Sequence, residues 1–504
     1  MNLPPGLPIT PKDWEVTPPA VQTLVMTLWQ ENQVLKHQLT HLQDEVDRLG
    51  ERVNKNSQNS SKPPSSDLPG QRKYPQKEAS GKSKGGQVGH KGTGRRLKPV
   101  AQVNKVVVIK FVACAECGAL LLGEDAHPQR HQVSELPRIE PEIVEYQRHT
   151  LTCLVCGADN QPEWPMEMPS GCFGERTQAL IGYLGGRMGI SQRDTGEVLE
   201  TVFHVEIGLG SIPAQEQAVS QALQAPVEEA EAYVRQQGVV NADETSWHEV
   251  AKQCWLWVCA TPTVTFFRIF NGRGSQQAQE LLGANFAGIL GSDRYGAYNW
   301  VKPSQRQLCW AHLKRDFQAW VERGGESSTI GRRLLAQVKT FFGLWHQFKA
   351  GALTRAAFQS AMQPIRHEVH CLLTIGTFVQ QAQTRRTCQN ILQREPALWT
   401  FVDNEGVEPT NNVSERALRR SVLWRRRSFG TQSEGGSRFV ERMLTAVTTL
   451  RQQKRDVLDY LAEACHSHRL GRSVLSLLVS LYLFSAPCQV GFGGKVASIS
   501  KICL

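Results

Sequence analysis

This 504-residue chain lacks any apolar run near the ~20 residues that a membrane-spanning helix needs. The nearest candidate, residues 474–484, is short and interrupted by serine, so no membrane anchor is expected. No basic-then-apolar leader is evident at its start, and 13 cysteines cannot all pair, so an exported, fully disulfide-bonded protein is not expected either. The expected location is the cytoplasm, in association with the nucleoid. Acid is scarce in one place: residues 62–98 hold ten Lys or Arg against two acids. Much of the net charge of +10 is concentrated there, which favours a polyanionic partner. A hydrophobic content of 40% is enough to build real cores, and the length allows about two to four domains.

What is present changes character along the chain. Residues 20–54 carry heptads, with Leu28, Leu35, Leu42 and Leu49 at one position and Val25, Asn32, Leu39, Val46 and Val53 at the other. This is a parallel coiled-coil pattern, and Asn32 in an aliphatic seam is a device for fixing a two-stranded register, so a homodimer or higher oligomer is expected. The competing reading is one amphipathic helix packed on its own globular domain. A basic linker follows over residues 55–102, with Pro63-Pro64 and many polar residues, and is expected to be disordered. It can track phosphates, or simply be solvated.

Residues 103–170 read as a β module. Two strand-like runs, 103–112 and 143–152, each end in a C-x₂-C-G knuckle, Cys114/Cys117 and Cys153/Cys156. Four thiolates in such pairs match structural Zn²⁺ at ~2.3 Å, although the gap between pairs is long and leaves room for His127 or His131. Over residues 171–235, helices at 176–188, 191–203 and 211–223 are broken by Gly and Pro. That pattern suits a helix-turn-helix DNA reader and ordinary helical packing equally.

Two apolar runs then break at acids, one at Asp243 and one at Asp293. Between them lie β-rich runs at 254–261 and 263–270 and a helical stretch at 275–282. The order strand, strand, strand, helix, strand, with an acid on the first and fourth strands, is that of an RNase H-like sheet. Two-metal phosphoryl chemistry needs carboxylates that hold hard Mg²⁺ (or Mn²⁺) ions ~3.5–4 Å apart. A third acid can come from Glu415, set among Arg416, Arg419, Arg420, Arg425, Arg426 and Arg427. Each acid also has a plain reading: Asp as a turn former, and Asn412 with Glu415 as a capping box. Trp424 fits a core position better than a base-stacking one.

The zipper running into Asn-Ser-Gln-Asn-Ser-Ser-Lys-Pro-Pro-Ser-Ser-Asp at 56–67, the paired knuckles, Ala-Asp243-Glu-Thr, Ser-Asp293-Arg-Tyr-Gly-Ala-Tyr, Cys309-Trp-Ala-His312-Leu-Lys-Arg315 and Asn411-Asn-Val-Ser-Glu415-Arg-Ala-Leu-Arg together resemble the insertion-sequence-66 family of bacterial transposases. The resemblance runs to about Leu470, and residues 471–504 depart from it. It implies a DDE transposase with Asp243, Asp293 and Glu415 as catalytic, metal-holding acids. Such an enzyme cleaves DNA at element ends and transfers the 3′-OH into target DNA, in some cases with small accessory proteins. His312 would orient water or phosphate and Arg315 would neutralise charge, with packing roles open for both. The expected architecture is an α/β catalytic core of RNase H-like type at 236–323 and 403–470, with a helical insertion at 324–402. A coiled coil, a zinc-binding β module and a helix-turn-helix-like region precede it. Two other readings compete: a zinc-containing dimeric DNA-binding regulator or inactive transposase relic, and a structure-selective nuclease.

Overall fold

The structure, a computed structural model, describes residues 10–54, 97–169 and 171–478. Most of the basic linker and the tail beyond residue 478 lie outside the described residues. Two compact units divide the chain: Lys73–Pro162 with Gly196–Gly208, and the remainder.

The larger unit begins with α1 (Pro11–Glu15) and α2 (Pro19–Asn54), the latter 36 residues and about 54 Å long. Leu28, Leu35, Leu39 and Leu42 on α2 are all exposed, so no other described residue covers these heptad positions. The heptad side chains at Val46, Leu49 and Val53 lie outside the described residues.

The smaller unit departs from expectation. Among its described residues, regular strands are confined to β1 (Leu151–Thr152) and β2 (Asp159–Asn160), paired antiparallel around the second knuckle, with a single bridge, Ala113 to Leu120, around the first. The runs at 103–112 and 143–150 are not strands. A β-run forms a ladder only against a partner, and the side chains of Val107, Ile109 and Phe111 stand in solvent.

The helices after residue 171 begin and end close to where the sequence puts them: α3 (Glu175–Tyr183), a turn of π-helix (Leu184–Met188), α4 (Gln192–Phe203) and α5 (Ser211–Ala222), followed by α6 (Gln224–Arg235). A mixed sheet comes next, with β3 (Val239–Glu249), β4 (Lys252–Ala260), β5 (Thr265–Phe270), α7 (Ser275–Leu282), β6 (Ile289–Ser292) and β7 (Arg306–Leu308). Its spatial order is β5-β4-β3-β6-β7, antiparallel across the first three strands and parallel from β3 to β7. Helices α8 (Trp310–Arg323), α9 (Gly325–Lys349), α10 (Arg355–Gly376), α11 (Ala382–Leu392) and α12 (Pro396–Asp403) follow, then α13 (Asn412–Ser428), α14 (Glu434–Gln452) and α15 (Val457–Arg469).

Two apolar cores result. One joins the sheet to α3, α5, α6, α14 and α15, so Ala179 on α3 and Val219 on α5 share a core with Met443 and Leu461. α3, α5 and α6, from the stretch read as helix-turn-helix-like, are thus packed into the sheet's own core. The second core belongs to the helical insertion, around Trp310, Phe341, Phe358 and Phe401.

Helices also close both edges of the sheet. Along β5, the N–H groups of Thr265 and Phe267 donate to the hydroxyls of Thr449 and Thr445 at 3.1 and 3.0 Å, and that of Ile269 donates to the Glu441 carboxylate. Four helical residues rise ~6 Å and two strand residues ~6.8 Å, so one face of α14 keeps pace with alternate N–H groups of the strand. Along β7, Thr400 of α12 donates to the Arg306 carbonyl at 2.6 Å, and the Phe401 N–H donates to the Gln307 side chain at 2.8 Å.

Candidate active site

Register brings the first two acids together. In the parallel pair, Val239 faces Ile289 and Asn241 faces Gly291; two residues further along each chain stand Asp243 and Asp293. Adjacent strands lie about 4.8 Å apart, so both carboxylates leave the sheet at one level. Gly291 leaves room for the Asn241 side chain, whose oxygen an added Cβ would meet at 2.3 Å. Asp293 follows β6 directly, as expected. Asp243 does not end its strand: β3 continues to Glu249 because β4 pairs with it throughout.

The loop after β6 is pinned by Arg306, which is fully buried. Its guanidinium donates to the Ser292 hydroxyl (2.9 Å), the Asp293 carbonyl (2.6 Å) and the Asn299 side chain (3.0 Å). Burial lowers its pKa to about 10, which leaves it charged at neutral pH. The Asp293 carboxylate accepts from the Tyr295 N–H at 2.9 Å.

Glu415 lies in the first turn of α13, and buried Asn411 fixes that turn. Asn411 donates through Nδ2 to the carbonyl of Ala242, the residue before Asp243, at 2.8 Å. It also accepts from the Ser414 hydroxyl at 2.6 Å, and its N–H points to the Cys309 sulfur at 3.2 Å. The capping-box alternative fails on geometry: the cap residue is Asn411, no side chain caps the helix, and Glu415 Oε1 has no hydrogen-bond partner. That oxygen faces Nδ1 of His312, in the first turn of α8, at 3.4 Å, and Nδ1 is equally without a hydrogen bond.

The electrostatics report the same convergence. Burial first, then the charges of Glu244, Asp293 and Glu415, push the Asp243 carboxyl well above the usual range. Burial and the nearby Arg315 lower the pKa of His312, against the opposing pull of Glu415 and Asp293. The imidazole is therefore neutral at neutral pH. A divalent cation suits this surrounding, since it would relieve the crowding of Asp243 and give the orphaned Glu415 oxygen a partner. Cys309, His312 and Glu415 also bring one donor atom each within 4.8 Å of one another.

Sequence reasoning left several supporting residues unassigned. Glu244, on the opposite face of β3 from Asp243, is buried and held by Arg273 (2.8 and 2.9 Å) and by the Tyr298 hydroxyl (2.6 Å). Its motif was visible, but only strand alternation separates its role from that of Asp243. The arginines also divide. Arg425 turns inward, donating to the Ser246 carbonyl at 2.7 Å and to the hydroxyls of Thr245 and Ser246, which ties α13 to β3. Arg416, Arg419, Arg420, Arg426 and Arg427 are exposed, and Arg315 is half-buried.

The cysteine knuckles stand by themselves. In each, the glycine N–H donates to the first cysteine's carbonyl, at 3.0 Å in Gly118 and 2.8 Å in Gly157, and the glycine takes a left-handed φ of 71° or 72°. Backbone N–H groups lower the pKa of Cys114 and Cys153, which are half-buried. The second cysteine of each knuckle, Cys117 in one and Cys156 in the other, is exposed, and all four thiols are free. The sequence expects these four around one Zn²⁺ ion. Among the described residues, no three of Cys114, Cys117, Cys153 and Cys156 bring their sulfurs within 4.8 Å of one another. Each knuckle is closed by its own local bonds, and the apolar side chains beside them, Leu154 and Val155 among them, stand in solvent.

The model of the Transposase IS66 family matches residues 171–438, more than half of the chain, and the chain belongs to that family. A second model, described as a family of unknown function (DUF6444), matches residues 9–96. Among curated proteins, the chain is similar to "Uncharacterized protein y4qI" of Sinorhizobium fredii (strain NBRC 101917 / NGR234), 26% identical over 259 residues. That match covers 44% of this chain and 46% of the relative, so the chain spans about half of the relative's length. "Uncharacterized protein y4hP" of the same organism is 24% identical over 397 residues, 71% of each chain. No helix among the described residues is long and apolar enough to cross a membrane.

Proposed function

We propose that this chain is a DDE-type DNA transposase with an RNase H-like core, which cleaves DNA at insertion-sequence ends and transfers the freed 3′-OH into target DNA. The observation that carries the reading is the mutual influence of three acids distant in sequence: Asp243 and Asp293 stand at one level of adjacent strands, the charges of Asp293 and Glu415 both raise the buried Asp243 carboxyl, and Glu415 keeps an unpartnered oxygen beside His312. Two Mg²⁺ or Mn²⁺ ions held by these carboxylates would activate the attacking oxygen and stabilise the leaving one. Arg306 and Asn411 keep the acids in place. The neutral imidazole of His312 orients a water or a phosphate oxygen, and Arg315 beside it offsets charge on the scissile phosphate. The exposed arginines of α13 neutralise phosphates along the DNA, as does the basic linker.

Two further parts belong to this reading. The uncovered leucine ridge of α2 pairs with a second copy as a parallel coiled coil, giving a homodimer or higher assembly. The knuckle thiols take structural Zn²⁺, with Cys114 and Cys153 held toward the thiolate and the exposed Cys117 and Cys156 free to close on the ion. Small accessory proteins of the same element complete the assembly.

The test uses full-length protein, Mg²⁺ or Mn²⁺, and DNA from the flanks of its coding region. The wild type is expected to nick and join strands at the repeat ends. Asp243→Ala is expected to bind the same DNA and cut nothing, and cutting that persisted in this variant would remove Asp243 from the chemistry. DNA binding by the wild type with no cleavage under either metal would favour a regulator.

A further inference from the structure

A cleft of about 460 Å³ opens beside the C-terminal half of α13, away from the acids. Its walls are the π-helical turn and the residues after it, α5, the loop 428–433 and the start of α14. Its lining mixes apolar side chains, Ile190, Pro213, Phe439 and Trp424, with the hydrogen-bonding groups of Gln192, Glu216 and Gln217.

Close packing shapes this cleft. A Cβ at Gly185 would lie 2.1 Å from the Glu216 carboxylate, and one at Gly189 would lie 3.1 Å from the Trp424 ring. Trp424 stands edge-on to Trp247 of β3 at 5.9 Å. A Cβ at Gly430 would meet the His248 carbonyl, and next to it Phe429 takes a left-handed φ of 63°. Thr431 pairs with β3 on both sides, its N–H to His248 at 2.9 Å and its carbonyl from Val250 at 2.8 Å. The π turn, the left-handed cap at Phe429 and the close approach at Gly430 all border this one cavity.

Resting on the DNA-processing reading above, we propose that this cleft receives one unstacked nucleobase of the bound DNA, of the kind that carries an exocyclic amine. Ile190, Pro213 and Phe439 supply apolar contact for a base, and the Glu216 carboxylate with its amide neighbours supplies acceptors for the amine, while Trp424 closes the cleft from the core side. Burial raises Glu216 to about 7, so the same group can also donate to a ring nitrogen or a carbonyl. Trp424 follows Glu415 by nine residues on one helix, about 13 Å along its axis. Nine residues also turn the helix by about two and a half turns, so Trp424 leaves α13 on the side opposite Glu415, and a strand entering the cleft runs past the far flank of that helix from the acids.

The experiment measures equilibrium binding of the full-length protein to three short duplexes of one sequence: uninterrupted, with one extrahelical cytosine, and with an abasic residue at that position. The wild type is expected to prefer the extrahelical cytosine over the abasic duplex by about tenfold. Glu216→Ala removes the acceptor. Gly435→Leu fills the mouth of the cleft from an exposed position of ordinary φ, where an added Cβ meets nothing closer than 3.6 Å. Both variants are expected to bring the ratio to about one while binding the uninterrupted duplex as the wild type does. Equal affinity of the wild type for the cytosine and abasic duplexes overturns the proposal, as does a preference that survives both substitutions. If the wild type fails to bind even the uninterrupted duplex, the DNA-processing reading falls, and the proposal falls with it.

Discussion

The acid cluster and the cysteine knuckles both gather ligand-type side chains, but they are held in opposite ways. Around the acids, long-range bonds do the holding: Asn411 reaches Ala242 across 169 positions, and Arg306 clasps the carbonyl of Asp293 from the neighbouring strand. Around the knuckles the bonds are local, within a few residues, and the apolar neighbours are in water, Ile109 at 91% and Val155 at 95% exposure. A site with its own core stands ready before an ion arrives. On the zinc reading proposed above, a site without one, where Cys117 and Cys156 are still in solvent, would depend on the ion for its structure as well.

The largest difference is expected on metal removal. A strong chelator, or Cys153→Ser, should expose residues 97–162 to protease at least tenfold faster while the sheet with α13–α15 stays intact, as read by limited proteolysis and mass spectrometry. Equal resistance before and after would mean that the knuckles hold without metal. Asn411→Ala comes next. It leaves the buried Ala242 carbonyl unpaired, at a cost of about 2 kcal/mol in denaturant unfolding, and should slow cleavage about tenfold with little loss of DNA affinity. A variant as active as the wild type would show that other bonds align Glu415.

The smallest effect concerns pH. The folded-state pKa of Glu216 stands at about 7, above its unfolded value, so the folded protein holds the extra proton and loses stability as pH rises from about 4.5 through 7. Glu216→Gln removes that slope. It should gain roughly 1–2 kcal/mol on the wild type at pH 8 and almost nothing at pH 4, by thermal unfolding in the absence of DNA. A gain that did not change with pH would place its origin in packing.

Much of the core was legible because its signals are local. The Ser211-Ile-Pro start of α5, the β-runs at β4 and β5 and the helical 275–282 stretch are periodic patterns read over a few residues. Asp243 and Asp293 stood out where apolar runs break. The extent of β3 past Asp243 did not, since it is β4 that extends it. Nor did the inward turn of Arg425, because nothing in a run of three arginines says which one meets Ser246. Arg306 reads as a strand residue, and its buried clasp on the loop after β6 exists only in three dimensions. In the 103–112 run the local signal misled: valines favour strands, but no second strand lies alongside. The spacing of Cys114 with Cys117 and of Cys153 with Cys156 foretold two tight turns, which formed, but spacing within a pair carries nothing about the distance between pairs.

The hydroxyl row of α14 and the α12 contacts leave neither outer strand with a free backbone ladder where those helices run. A second molecule therefore cannot extend this sheet by adding a strand of its own along those stretches. Once α12 and α14 have docked, the folded protein is closed to one common route to fibrous aggregates.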